Sequence, residues 1–148
     1  MNFFNKVLLV LGVVVICIIT IFAISNSDKI SKPQNQTQDQ QIKLQWNTDL
    51  NSALKLAEKS NKLVFVDFYA DWCSYCKQLD EYTFTDPNVQ ARFSQSYVLV
   101  KVNTDKNPDL ASQYKVYGLP TLVVMDANGN EIKRQEGFVD PDELLIML

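Results

Sequence analysis

The sequence predicts an α/β domain, a mixed central sheet flanked by helices, preceded by one N-terminal transmembrane helix. Three observations carry this expectation. An 18-residue run without charge, Val7 to Ile24, lies at the start of the chain. A polar, Gln/Asn-rich stretch follows from Ser25 to Gln41. Beyond it, apolar strand-like runs alternate with helical patterns, the order that builds a sheet covered by helices. The division is therefore 1–24 as anchor or signal peptide, 25–41 as a flexible linker and 42–148 as one folded domain.

Eighteen residues at 1.5 Å rise span roughly 27 Å, close to the hydrocarbon thickness of a bilayer. Phe3 and Phe4 extend the run at the headgroup boundary. Lys6 and the amino terminus precede it and Lys29 and Lys32 follow it, so the charge bias that would orient it is weak. An uncleaved anchor fits the length and the β-branched richness. A signal peptide cut after Ser25, using Ala23 and Ser25 as small residues, is the alternative. Cys17 reads as a small apolar residue within the span. The linker holds too little apolar surface to fold and acts as a tether. Its Asn35-Gln36-Thr37 matches a glycosylation sequon, a triplet that occurs often by chance and would mean nothing if the chain were bacterial.

Within the domain, Ile42 to Trp46 is a short strand. Thr48 or Asp49 caps a helix running to about Ser60, with Leu50, Ala53, Leu54 and Ala57 on one face. Leu63 to Ala70, LVFVDFYA, is a near-continuous apolar run, as in a strand buried on both faces. A helix begins near Cys73, and Asp86-Pro87 restarts or kinks it. Tyr97 to Asn103 is a second buried strand, and Pro108 to Tyr114 a short helix. Thr121 to Met125 and Glu131 to Glu136 form strands around the turn signal Asn128-Gly129. Asp140-Pro141 opens a last helix.

The composition narrows the chemistry. No His is present, which excludes Ser-His-Asp and Cys-His catalysis and any His-ligated metal. The net charge of −3 has no run of like charge behind it, which argues against a nucleic-acid binder. What remains is carboxylate, lysine or thiol chemistry, and Trp72-Cys73-Ser74-Tyr75-Cys76 points to the last. A C-x-x-C at a helix start permits a reversible disulfide, and free N–H groups there favour a thiolate on the first sulfur. The second sulfur, one turn further in, can resolve a mixed disulfide. A structural disulfide and half a zinc site compete with this reading. A zinc site needs about four ligands, and the chain has neither a second Cys pair nor His. The redox reading gains from the buried strand preceding the pair.

Asp67 lies in that strand, six residues before Cys73. Among Val64, Phe65, Val66 and Phe68 it should be desolvated, with a raised pKa, and could take a proton from Cys76. An outward-facing, solvated Asp67 is the competing reading. Lys101 offers Asp67 a charge partner; a surface lysine at a strand end is its bland alternative. Gly118-Leu119-Pro120-Thr121 precedes the fourth strand, where a Pro can be cis and can leave the preceding backbone free to pair with an extended peptide. An ordinary loop Pro is the reading without the C-x-x-C.

Together, VDFYADWC-x-x-C-K, KVNTD-x-NP, GLPT and a Gly-bearing hairpin resemble the thioredoxin family over nearly all of residues 42–148. YADWC, YTFTDPNV from Tyr82 to Val89, GLPT and Gly137-Phe138 are most similar to the C-terminal periplasmic domain of DsbD-type thiol:disulfide interchange proteins. The resemblance implies a thioredoxin fold, Cys73 as nucleophile, Cys76 as resolving thiol, Asp67 as buried acid and Pro120 as cis-proline. Trp72, Leu119 and Pro120 are expected to bind substrate, and Lys101 to support Asp67. Ser74-Tyr75 stands where thioredoxin has Gly-Pro.

The function this implies is a protein-disulfide reductase, single-pass in the bacterial inner membrane, with its domain in the periplasm. Its substrates would be disulfide-bearing envelope proteins, in cytochrome c maturation or disulfide isomerase recycling. The electron-carrying spans of DsbD are not in this sequence, so a separate membrane electron donor of the DsbD/CcdA type is expected. No cofactor and no metal are expected. An oxidase or isomerase is the first alternative, disfavoured because Ser-Tyr offers no charge to stabilise a thiolate. A non-catalytic partner-binding module is the second.

Overall fold

The computed structural model describes residues 43–148. The expected anchor or signal peptide, Cys17, the tether with its sequon and Ile42 lie outside the described residues. Among the described residues, no helix is long and apolar enough to cross a membrane.

The first strand is shorter and later than the expected Ile42 to Trp46. β1 is Trp46–Asn47, paired in parallel with Leu99 and Val100. Leu44 precedes it without a ladder partner yet packs on the core. An apolar residue reports packing, and here packing extends beyond the ladder. Helix α1, Leu50–Ser60, is capped by Asp49, whose carboxylate accepts the Ser52 N–H at 2.9 Å. It ends at Asn61 in the left-handed region. Strand β2, Leu63–Tyr69, is buried from Val64 to Phe68.

The helix after Cys73 is not one continuous α-helix. α2 spans Ser74–Gln78 and passes into a π-helical turn, Leu79–Thr83, closed by the Phe84 N–H on the Leu79 carbonyl at 2.8 Å. The wider turn sends both Leu79 and Phe84 into the core. It also lets the buried Thr83 hydroxyl donate to the Val139 carbonyl at 2.7 Å. A new helix, α3, Pro87–Ser96, starts from the Asp86 cap with Pro87 in its first turn.

Strand β3, Tyr97–Asn103, is followed by α4, Pro108–Gln113. β4, Thr121–Met125, and β5, Glu131–Glu136, form a hairpin whose turn the Asp126 carboxylate holds by accepting the Asn128 and Asn130 N–H groups. Gly129 takes φ +83° there, a conformation open to glycine at little cost. α5, Pro141–Met147, begins with a capping box between Asp140 and Glu143.

The sheet order is β1-β3-β2-β4-β5, parallel through the first three and antiparallel at β4 and β5. Its two faces carry separate cores. Val64, Val66 and Phe68 pack with Ala53 and Ala57 of α1 on one face. Phe65, Leu99 and Leu122 pack with Leu79, Phe84, Phe93 and Leu144 on the other. Burial of a Phe side chain contributes roughly 1.5–3 kcal/mol, so the four-ring cluster of Trp46, Phe65, Phe84 and Phe93 anchors the second face.

Candidate active site

The site forms at one end of the sheet. Phe68 pairs with Thr121, so the end of β2 and the start of β4 lie side by side there. β2 feeds Ala70, Asp71, Trp72 and then Cys73, whose N–H donates to the Ala70 carbonyl at 3.1 Å. Cys73 caps α2 with its own sulfur: Sγ accepts the Cys76 N–H at 3.1 Å. The two cysteines form a disulfide with Cα atoms 5.3 Å apart. Both are buried, in a small cluster with Ala70 against which Tyr69 and Leu119 pack. A backbone N–H aimed at a sulfur stabilises its anionic form, so Cys73 is the better placed of the pair to act as a thiolate.

The Leu119–Pro120 bond is cis. Pro120 is buried, and its carbonyl accepts the Gly137 N–H at 2.8 Å. The Thr121 hydroxyl donates to the Gly118 carbonyl at 2.8 Å and fixes the loop that carries Leu119. Trp72 is 70% exposed, and its indole N–H donates to Asp105 at 3.0 Å. That loop is shaped by Asn103, whose side-chain oxygen accepts the N–H groups of Asp105 and Lys106. Between Trp72 and Leu119 lies a groove of about 220 Å³, completed by Thr104, Val116, Tyr117 and Gly118.

Asp67 shares its side of β2 with Phe65, the face against which Leu79 of the π turn and Phe84 pack. It is fully buried. One carboxyl oxygen accepts from Lys101 Nζ at 2.9 Å; the other has no hydrogen-bond partner among the described residues. Burial pushes its pKa up to about 6, against the opposing pull of the Lys101 charge and hydrogen bond. Lys101 sits beside Asp67 in the sheet register and reaches a second carboxylate, Asp80, on the π turn. Burial pulls the lysine pKa down, but Asp67 and Asp80 together hold it above its ordinary value. The ammonium also lies 5.1, 5.0 and 5.5 Å from the ring centres of Trp46, Tyr69 and Phe84.

The structure thus groups the candidate residues in three sets: Cys73, Cys76 and Leu119; Asp67 and Lys101; and the Trp72–Leu119 groove beside Pro120. Sequence reasoning missed Asp80, Asp105 and the three rings around Lys101. Asp80 lies four residues after Cys76, one helical turn, and that spacing was available as a signal. Nothing in the sequence joins Trp46 to Lys101, because parallel pairing of β1 with β3 brings them together.

A family model described as a thioredoxin-like domain matches residues 50–148. DsbD, the thiol:disulfide interchange protein of Haemophilus influenzae, is 40% identical over 116 residues, which is 74% of this chain and 19% of that protein. DsbD of Tatumella citrea is 40% identical over 99 residues, 64% of this chain and 17% of the relative. The chain therefore spans less than a fifth of the length of these curated relatives. Among solved structures, a thioredoxin from Thermus thermophilus matches with TM-score 0.62 at 30% identity, covering 70% of this chain and 82% of that one. The oxidised C-terminal domain of Neisseria meningitidis DsbD matches with TM-score 0.58 at 27% identity, covering 69% and 95%. With its C-x-x-C just after a buried strand, Leu119 of the cis Leu119–Pro120 bond packed on it and this match over 50–148, the chain belongs to the thioredoxin-like family.

Proposed function

We propose that this chain is a membrane-tethered thiol:disulfide oxidoreductase that reduces disulfides of proteins outside the cytoplasm. The observation that carries the reading is the Cys73–Cys76 disulfide, with the Cys73 sulfur at the start of α2 and accepting a backbone N–H. In the reduced enzyme the Cys73 thiolate attacks a client disulfide. One client sulfur leaves as thiolate and a mixed disulfide forms. Cys76 gives up its proton and attacks Cys73, which closes the internal disulfide and frees the second client thiol. Two electrons pass from the dithiol to the client.

Asp67 supports this scheme as the proton acceptor for Cys76. A buried carboxyl with one oxygen unpaired among the described residues is costly as an anion, so it takes up a proton at a pH where an exposed carboxylate would not. The groove between Trp72 and Leu119 seats the client segment beside its cysteine. A separate membrane electron donor returns the disulfide to the dithiol, and clients are disulfide-bearing envelope proteins. The DsbD relatives support interchange chemistry of this kind.

The test is trapping. Cys76→Ser should accumulate mixed disulfides through Cys73 with a disulfide-bearing substrate, and Cys73→Ser should accumulate none. Equal trapping by the two variants refutes the assignment.

A further inference from the structure

We infer that Trp46 is a positioning residue: its ring holds the Lys101 ammonium against Asp67 and so sets the pH at which Asp67 changes protonation. Trp46 pairs with Leu99 in β3, two residues from Lys101 on the same strand face, which brings the indole to the lysine. The indole is itself fixed by Phe84, Phe93 and Phe65, with ring centres 5.2, 6.0 and 6.2 Å away.

Lys101 has a choice of anions. Asp67 is fully buried, whereas the Asp80 side chain is 46% exposed and opens toward water. An ammonium free to move would follow Asp80 and its hydration. Three rings oppose this: Trp46 from β1, Tyr69 from β2 and Phe84 just beyond the π turn. Their negative faces replace part of the lost hydration and hold the charge where it also reaches Asp67. The charged and titratable groups facing the ammonium from the packed elements are Asp67, Asp80 and Tyr69. Trp46 contributes the ring most electron-rich of the three, and it comes from the first strand, remote in sequence from the reactive motif.

The consequence for the reaction rests on the reading of Asp67 as proton acceptor, but the inference is testable without turnover. The oxidised full-length chain, in detergent micelles, is labelled with ¹³C at the aspartate carboxyls. The Asp67 signal is assigned by its loss in Asp67→Asn and titrated against pH. Fluorinated tryptophans placed at position 46 alone withdraw electron density while keeping the shape of the ring. The Asp67 midpoint should climb with each added fluorine, by about half a pH unit at full fluorination. The same series in Lys101→Met should be flat, because the ring acts through the ammonium. A flat series in the wild-type background overturns the inference, as does a climb that persists in Lys101→Met. An Asp67→Asn chain that exchanges disulfides at the wild-type rate sinks the acceptor reading instead, and leaves the titration result standing.

Discussion

A carboxyl sealed inside a sheet keeps its proton to a higher pH than one in water, and Asp67 changes state at about 6. The folded value lies above the unfolded one, so folding binds protons between the two. The stability this adds is complete below the ordinary carboxylate value and is lost as pH rises through about 4 to 6. About two pKa units correspond to about 3 kcal/mol. Asp67→Asn should therefore gain on the wild type by a few kcal/mol at most between pH 4 and 7, with Lys101 keeping Asp80 as its partner. Urea denaturation of both proteins across that range measures it. The same variant should slow the resolving step near neutral pH, with the defect shrinking at high pH where Cys76 ionises unaided. A constant stability difference across the range would contradict the buried titration. The sequence exposed Asp67 because an acid amid Val64, Phe65, Val66 and Phe68 breaks a buried pattern. It left open which face of β2 the acid takes, since both faces are apolar, and the one-turn spacing of Asp80 from Cys76 does not show that the π turn brings Asp80 to Lys101.

Element boundaries followed the caps wherever a side chain defines them. Asp49, Asp86 and Asp140 each accept backbone N–H groups at a helix start. The sequence offered Thr48 or Asp49 as the first cap, and marked the other two starts by Asp86-Pro87 and Asp140-Pro141. Asp86→Ala removes the acceptor for the Asn88 and Val89 N–H groups and should cost about 1 kcal/mol. Chemical denaturation should show that loss while disulfide exchange continues at the wild-type rate. An exchange defect of the same size as a cysteine variant's would place this helix in the reaction. The π turn escaped the sequence because a one-residue widening leaves no mark in a helical pattern; only the structure shows that it buries Leu79, Thr83 and Phe84 together. The shift of β1 escaped it because Leu44 packs on the core, partly buried, without pairing.

At the scale of the whole molecule, the alternation of strand and helix patterns carried the architecture, and the buried runs read at Leu63 to Ala70 and Tyr97 to Asn103 are strands Leu63–Tyr69 and Tyr97–Asn103 of the sheet. The order β1-β3-β2-β4-β5 was not written in any one segment; it arises from crossovers between parallel strands. Residues 1–24 carry the proposed anchor. A reporter that folds only outside the cytoplasm, fused after Gln41, should be active in cells, and activity of a cytoplasmic reporter at the same junction would contradict that placement. The proposal of reduction rests on Ser74-Tyr75, which places no positive charge between the cysteines to stabilise a thiolate. The most direct test of reduction as the function is equilibration of the full-length chain with glutathione, which gives the potential of the Cys73–Cys76 couple. The account predicts a value near that of thioredoxin, about −270 mV, and a value near that of a strong oxidant, about −120 mV, would contradict it.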